Sequence, residues 1–198
     1  VLSGCFFLLA LFAYLRYAGH PSRTRLAAVA LAMAAGMLSK TILVVLPPLL
    51  LLLDAWPLRR ARFPDSRGRW AAWRPLLTEK IPLFLLMMAG IVLTLWTHRA
   101  AHSNAPPMSP IGRLGLIAPT VFAHLRQILW PTRLSMFYPV DYPSAVMAIF
   151  ALVAMLIALV TAWRLRQQLP GMLVGLLWFG IALAPVVRGI RFDEQSAY

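Results

Sequence analysis

Lys40 stands between two apolar halves, in the run Leu38-Ser39-Lys40-Thr41-Ile42-Leu43-Val44-Val45-Leu46. An ionisable side chain in such a setting is costly and by default marks a functional site. At a helix break, its ammonium and the free amides of the following helix could together hold an anion such as a phosphate. The plainer reading is a lysine snorkelling from a helix end, with Ser39 and Thr41 as caps. A second cluster, Arg188, Arg191, Asp193 and Glu194, falls within seven residues. Arginine there could take a lipid phosphate while a carboxylate orients an acceptor, or the four could form a solvated loop. Asp141, Tyr138 and Arg133 could line a substrate cleft or pin a loop at an interface. Asp54 follows five leucines and precedes Ala55-Trp56-Pro57, which reads as a helix end at an interface with an aromatic anchor. His98 and His102 have the i, i+4 spacing of two zinc ligands, but no cysteine or further carboxylate lies close enough in sequence to complete a site. No metal site is expected within the chain. Gly-rich phosphate loops and nucleophile elbows do not occur.

The elements that must hold these residues follow from composition. Of 198 residues, 61% are apolar and 13% charged, and the mean hydropathy is +0.74. A soluble domain averages about 45 to 50% apolar and about 25% charged, so a soluble globular enzyme does not fit. Disorder does not fit either, because its signature is low hydrophobicity. An all-α, polytopic transmembrane bundle remains. The formal charge of +13 needs no nucleic-acid partner, since arginines flanking spans on the cytoplasmic side give the same balance. Cys5 is the single cysteine, so there is no disulfide framework. The sequence opens inside a hydrophobic segment and closes without a final element, which reads as an internal piece of a longer protein.

Measured against a bilayer core of about 30 Å, about five to seven segments are expected within one transmembrane domain covering 1–198. Spans are placed near 1–18, 26–38, 42–53, 81–96, 145–163 and 171–187, with an interfacial or re-entrant helix at 114–130. The loop from Asp54 to Lys80 carries seven basic residues and is the most strongly cytoplasmic in the chain. Arg16, Arg23 and Arg25 put the loop before 26–53 on the same side. The intervening stretch must therefore go in and come back, turning at Ser39-Lys40-Thr41 with Lys40 at the outer tip. Twelve of the nineteen basic residues fall in inner loops under this layout.

Further on, the run from Leu38 through Lys40 to Pro47, continuing Leu49-Leu50-Leu51-Leu52-Leu53-Asp54-Ala55-Trp56-Pro57-Leu58-Arg59-Arg60, resembles bacterial membrane proteins that carry a C-terminal tetratricopeptide array. These are similar to the transmembrane and TPR-repeat-containing (TMTC) family, within the GT-C class of glycosyltransferases. Ile128-Leu129-Trp130-Pro131 to Phe137-Tyr138-Pro139 resembles the family's outer-side segment, and Val1-Leu2-Ser3 with Leu11 to Tyr17 its span after an early outer loop. Asp193-Glu194-Gln195-Ser196-Ala197-Tyr198 resembles its acidic-Arg-Tyr-x-Tyr motif, with Gln195 in place of arginine and Ser196 in place of tyrosine.

The resemblance implies transfer of a sugar, with inversion, from a polyprenyl phosphate to an acceptor hydroxyl of a protein or glycan, on the periplasmic face of a bacterial inner membrane. The catalytic carboxylate would lie upstream of Val1, as base or metal ligand, and a repeat array would lie beyond Tyr198. Lys40, Arg188 and Arg191 would bind the donor phosphate. Asp193, Glu194, Tyr138 and Asp141 would line the acceptor side. The competing class is a non-catalytic membrane anchor for a repeat domain. A transporter is a weaker third, because a solute path normally shows several intramembrane polar residues.

Overall fold

The structure is a computed structural model that describes residues 1–60, 69–100, 121, 124, 125, 130 and 145–189. Among the described residues there are seven α-helices and one 3-10 turn, and no strand. The chain divides into two compact units, Val1–His102 and Ser103–Tyr198.

In the first unit, α1 (Leu2–Gly19) and α2 (Arg23–Ser39) form a tight helical hairpin. Ser22 caps α2 by accepting the Arg25 amide at 3.3 Å. Six alanines between Ala27 and Ala35 let the two backbones approach. α1 buries Ala10, Tyr14 and Tyr17 at spacings of four and three, one helical stripe, and α2 answers with Val29, Ala32, Met33 and Gly36. At Lys40 the backbone becomes extended (φ −162°, ψ 128°) and α2 ends. A 3-10 turn, Thr41–Val45, leads into α3 (Leu46–Ala55). Pro47 and Pro48 occupy the first turn of α3, where missing amides cost little.

Leu43 and Phe6 crowd Gly36, whereas Asp54 at the end of α3 reaches Tyr14. The chain thus turns back at Ser39-Lys40-Thr41. Lengths agree: α2 rises about 25 Å, and the 3-10 turn with α3 about the same. A Cβ at position 36 would meet Leu43 Cδ2 and lie 3.0 Å from Phe6 Cβ. At position 90 the obstruction is the flexible end of Met37. Gly36→Ala should therefore cost about 1–3 kcal/mol through overpacking and Gly90→Ala distinctly less. Thermal unfolding of both variants in one detergent checks the order.

α4 (Arg69–Glu79) and α5 (Ile81–Ala100) follow. Sequence alone predicts a loop over the whole of 54–80, and α4 departs from that expectation. A helix forms because half-buried Trp73, buried Leu76 and buried Lys80 recur at helical spacing and turn one face toward the rest of the first unit. It cannot run on into α5, since the Pro82 ring excludes the bond to Thr78. Trp73–Glu79 and Ile81–Thr97 accordingly meet at 55°. Gly90 lies against Met37 and Val44, so α5 continues past the level of the Lys40 turn.

The second unit is described through α6 (Ala145–Arg164) and α7 (Pro170–Gly189), which pack on each other. The Leu169 and Gln168 amides bond back to the Leu165 carbonyl at 2.7 and 3.0 Å and close the link between them. Among the described residues, Leu2–Gly19 is alone long and apolar enough to cross a bilayer, and Trp73–Glu79 with Ile81–Thr97 reaches that length across its bend. Thr41–Ala55, Ile149–Arg164 and Pro170–Pro185 are apolar but shorter.

Candidate functional site

Two places in the first unit gather polar groups, one at each end of the hairpin. At the end shared by α1, α3 and the α4–α5 junction, Asp54 and Lys80 are both fully buried and their side chains are paired. Tyr14 donates to the Asp54 carboxylate at 2.7 and 2.8 Å. Arg60 arrives because the chain folds sharply after α3: the Arg60 amide donates to the Asp54 carbonyl at 2.8 Å. Arg59 takes φ 49° on the way, in the left-handed region. The Arg60 guanidinium then reaches Glu79 with both terminal nitrogens, at 2.7 and 3.1 Å, and Asp54 at 3.3 Å. Lys80 also donates to Glu79 at 2.8 Å and to the Leu76 carbonyl at 3.3 Å. Tyr17 donates to Glu79 at 2.8 Å.

Two carboxylates and two cations cancel, and no buried side-chain nitrogen or oxygen among the described residues lacks a partner. Both carboxylates are engaged within the cluster, so the quartet fastens four segments of chain together. Burial works to lower the Arg60 guanidinium, yet its bonds to Glu79 and the nearby charges hold it above its ordinary value. At Glu79 burial acts to raise the carboxyl, and donation from Arg60, Lys80 and Tyr17 outweighs it, leaving the group below its ordinary value.

A depressed carboxyl pKa supplies stability that is complete above the unfolded value, 4.5, and is lost as pH falls through the folded one. Unfolding midpoints should thus hold steady from neutral pH to about 5 and fall below about 4.5. Glu79→Gln should start lower at neutral pH and lose part of that acid limb.

At the opposite end Lys40 is exposed, and among the described residues it makes no ion pair. Its amide donates to the Gly36 carbonyl at 2.9 Å, which closes α2 and projects the residue at the turn. Ser39 does not cap the next helix but donates back to the Ala35 carbonyl at 3.2 Å. Arg188 lies in the last turns of α7. Arg191, Asp193, Glu194, Tyr138 and Asp141 lie outside the described residues, as do His102, Arg133 and most of 114–130.

Asp54 differs from its sequence reading. It is a buried hub rather than an interfacial end, because Tyr14 and Lys80 reach over it from segments distant in sequence. Glu79 and Lys80, which sequence alone treats as loop charges, complete the hub with it. A signal was present in the acid placed directly after five leucines, and in the tyrosines three apart at the end of an apolar helix. No group of three potential metal ligands occurs among the described residues. Compared with known proteins, the chain matches no family model, no curated protein and no solved structure.

Proposed function

We propose that the chain is the membrane-embedded part of a GT-C-like glycosyltransferase, moving a sugar from a polyprenyl phosphate to an acceptor hydroxyl on the outer face. Lys40, at the turn of a hairpin whose ends lie inside, holds the departing phosphate. Asp193, Glu194, Tyr138 and Asp141 line the acceptor side. Positive charge fixed where negative charge develops usually contributes more to such catalysis than any other single effect.

The observation that carries this reading is the separation of charge along the hairpin. Its base gathers a quartet that cancels itself, and its tip exposes one lysine with no ion partner among the described residues. The apolar flanks support the membrane setting: Leu8, Leu9, Phe12 and Leu15 on α1 and Ile149, Phe150, Val153 and Ile157 on α6 are all exposed, more than water tolerates in contiguous patches. Thr41–Ala55, apolar but shorter than a full span, suits a re-entrant hairpin.

The closure of the quartet favours a second reading, a membrane anchor for a repeat domain, because the buried polar groups of the first unit are matched with one another. Membranes carrying the full-length protein, given a radiolabelled polyprenyl-phosphate sugar, decide between the two. Label released from the lipid onto protein or glycan supports the transferase. Its complete retention on the lipid, with the protein present and folded, supports the anchor.

A further inference from the structure

Beside the α1–α2 hairpin runs an open groove of about 620 Å³, within the size range of ligand sites. Its floor is apolar, from exposed Leu9, Phe12 and Leu15 on α1. Its end at the helix connection is basic, from Arg16, His20 and Arg25. The Arg16 guanidinium stacks on the Phe12 ring at 4.6 Å and has no carboxylate partner among the described residues. Arg25 uses Nη1 alone to bond the carbonyls of Arg16 and His20, at 3.1 and 2.9 Å. That fixes its position and leaves the rest of its donor fork unmatched among the described residues. The same end of the hairpin carries the neutral quartet, so among the described residues neither arginine has an anion to draw on.

We propose that this groove seats an anionic phospholipid of the inner leaflet, its acyl chain along Leu9, Phe12 and Leu15 and its phosphate against Arg16 and Arg25. The proposal rests on the membrane setting given above, not on the transfer chemistry. Charge complementarity selects the occupant. A protein helix would cover the apolar floor equally well but would not answer two arginines at its rim. A diacyl phosphate joins one apolar body to one anionic head in the same order as the groove does.

The test uses the full chain reconstituted in phosphatidylcholine vesicles, with spin-labelled phosphatidylglycerol and spin-labelled phosphatidylcholine as probes. The preference for the anionic lipid should drop about fivefold in Arg16→Gln, with the phosphatidylcholine signal unchanged. Arg16 is exposed and bonds no other side chain, so this variant keeps the fold. Ala28→Trp fills the groove from its exposed α2 wall without changing charge. It should reduce the bound phosphatidylglycerol while sparing the rest of the lipid shell. An unchanged preference in both variants overturns the proposal, as does displacement of the lipid by inorganic phosphate alone or Leu15→Cys cross-linking to a second protein chain. A chain that restricts neither probe would instead overturn the membrane setting itself.

Discussion

Asp54→Ala is expected to cost about 3–5 kcal/mol of folding stability, the range for breaking a buried ion pair and stranding its partner. Asp54 and Lys80 are fully buried, so solvent cannot screen the ammonium left behind. Tyr14 would lose its acceptor at the same time, because both oxygens to which its hydroxyl donates belong to Asp54, leaving it only the bond it accepts from Arg60. Lys80→Met alone should be comparably harmful, leaving the carboxylate as the surplus charge. The double variant Asp54→Leu with Lys80→Met should recover most of the loss, since well-packed apolar residues often replace such a pair at little cost. Arg60 and Glu79 remain matched with each other in that background. Detergent-solubilised protein titrated with a denaturing detergent and followed by circular dichroism gives the three midpoints. A single variant within about 1 kcal/mol of the parent would falsify the role assigned to the quartet.

Under the proposed transferase function, Lys40→Ala in the full-length protein should reduce sugar transfer by about a hundredfold or more, the usual loss when one preorganised charge-stabilising group is removed. Membrane level and unfolding midpoint should stay at the parent values, because the side chain is exposed and makes no ion pair among the described residues. Lys40→Arg keeps the charge and should retain part of the activity, with its geometry changed. Near-parent transfer in Lys40→Ala would remove the residue from the mechanism. Parallel loss of folded protein would show instead that the turn needs it for packing.

Apolar periodicity and length make the helices readable in advance, because burial and capping within one segment are local matters. Ser22 before α2, Pro47 and Pro48 at the start of α3 and Pro82 at the start of α5 each act within a turn or two of their own position. The return of the chain at Lys40 is readable as well, from the basic charge shared by the loops on both sides of 26–53. What sequence cannot yield is the pairing of Asp54 with Lys80 and of Tyr17 with Glu79, separated by 26 and 62 residues. Counting charges treats Glu79 and Lys80 as solvated, whereas packing buries the lysine completely. Arg60 is equally opaque, since its direction depends on a backbone reversal at Arg59 that no spacing rule encodes. The helix Arg69–Glu79 is hidden for the same reason: its face is completed by residues of other elements.

The quartet also sets an order of events at the ribosome. Asp54 is synthesised 26 residues before Lys80, a delay of about 1–5 s at ordinary elongation rates. Throughout that interval the base of the hairpin holds a carboxylate answered only by Tyr14 and Arg60, and Arg60 itself awaits Glu79. The hairpin therefore completes its docking only when the α4–α5 junction emerges.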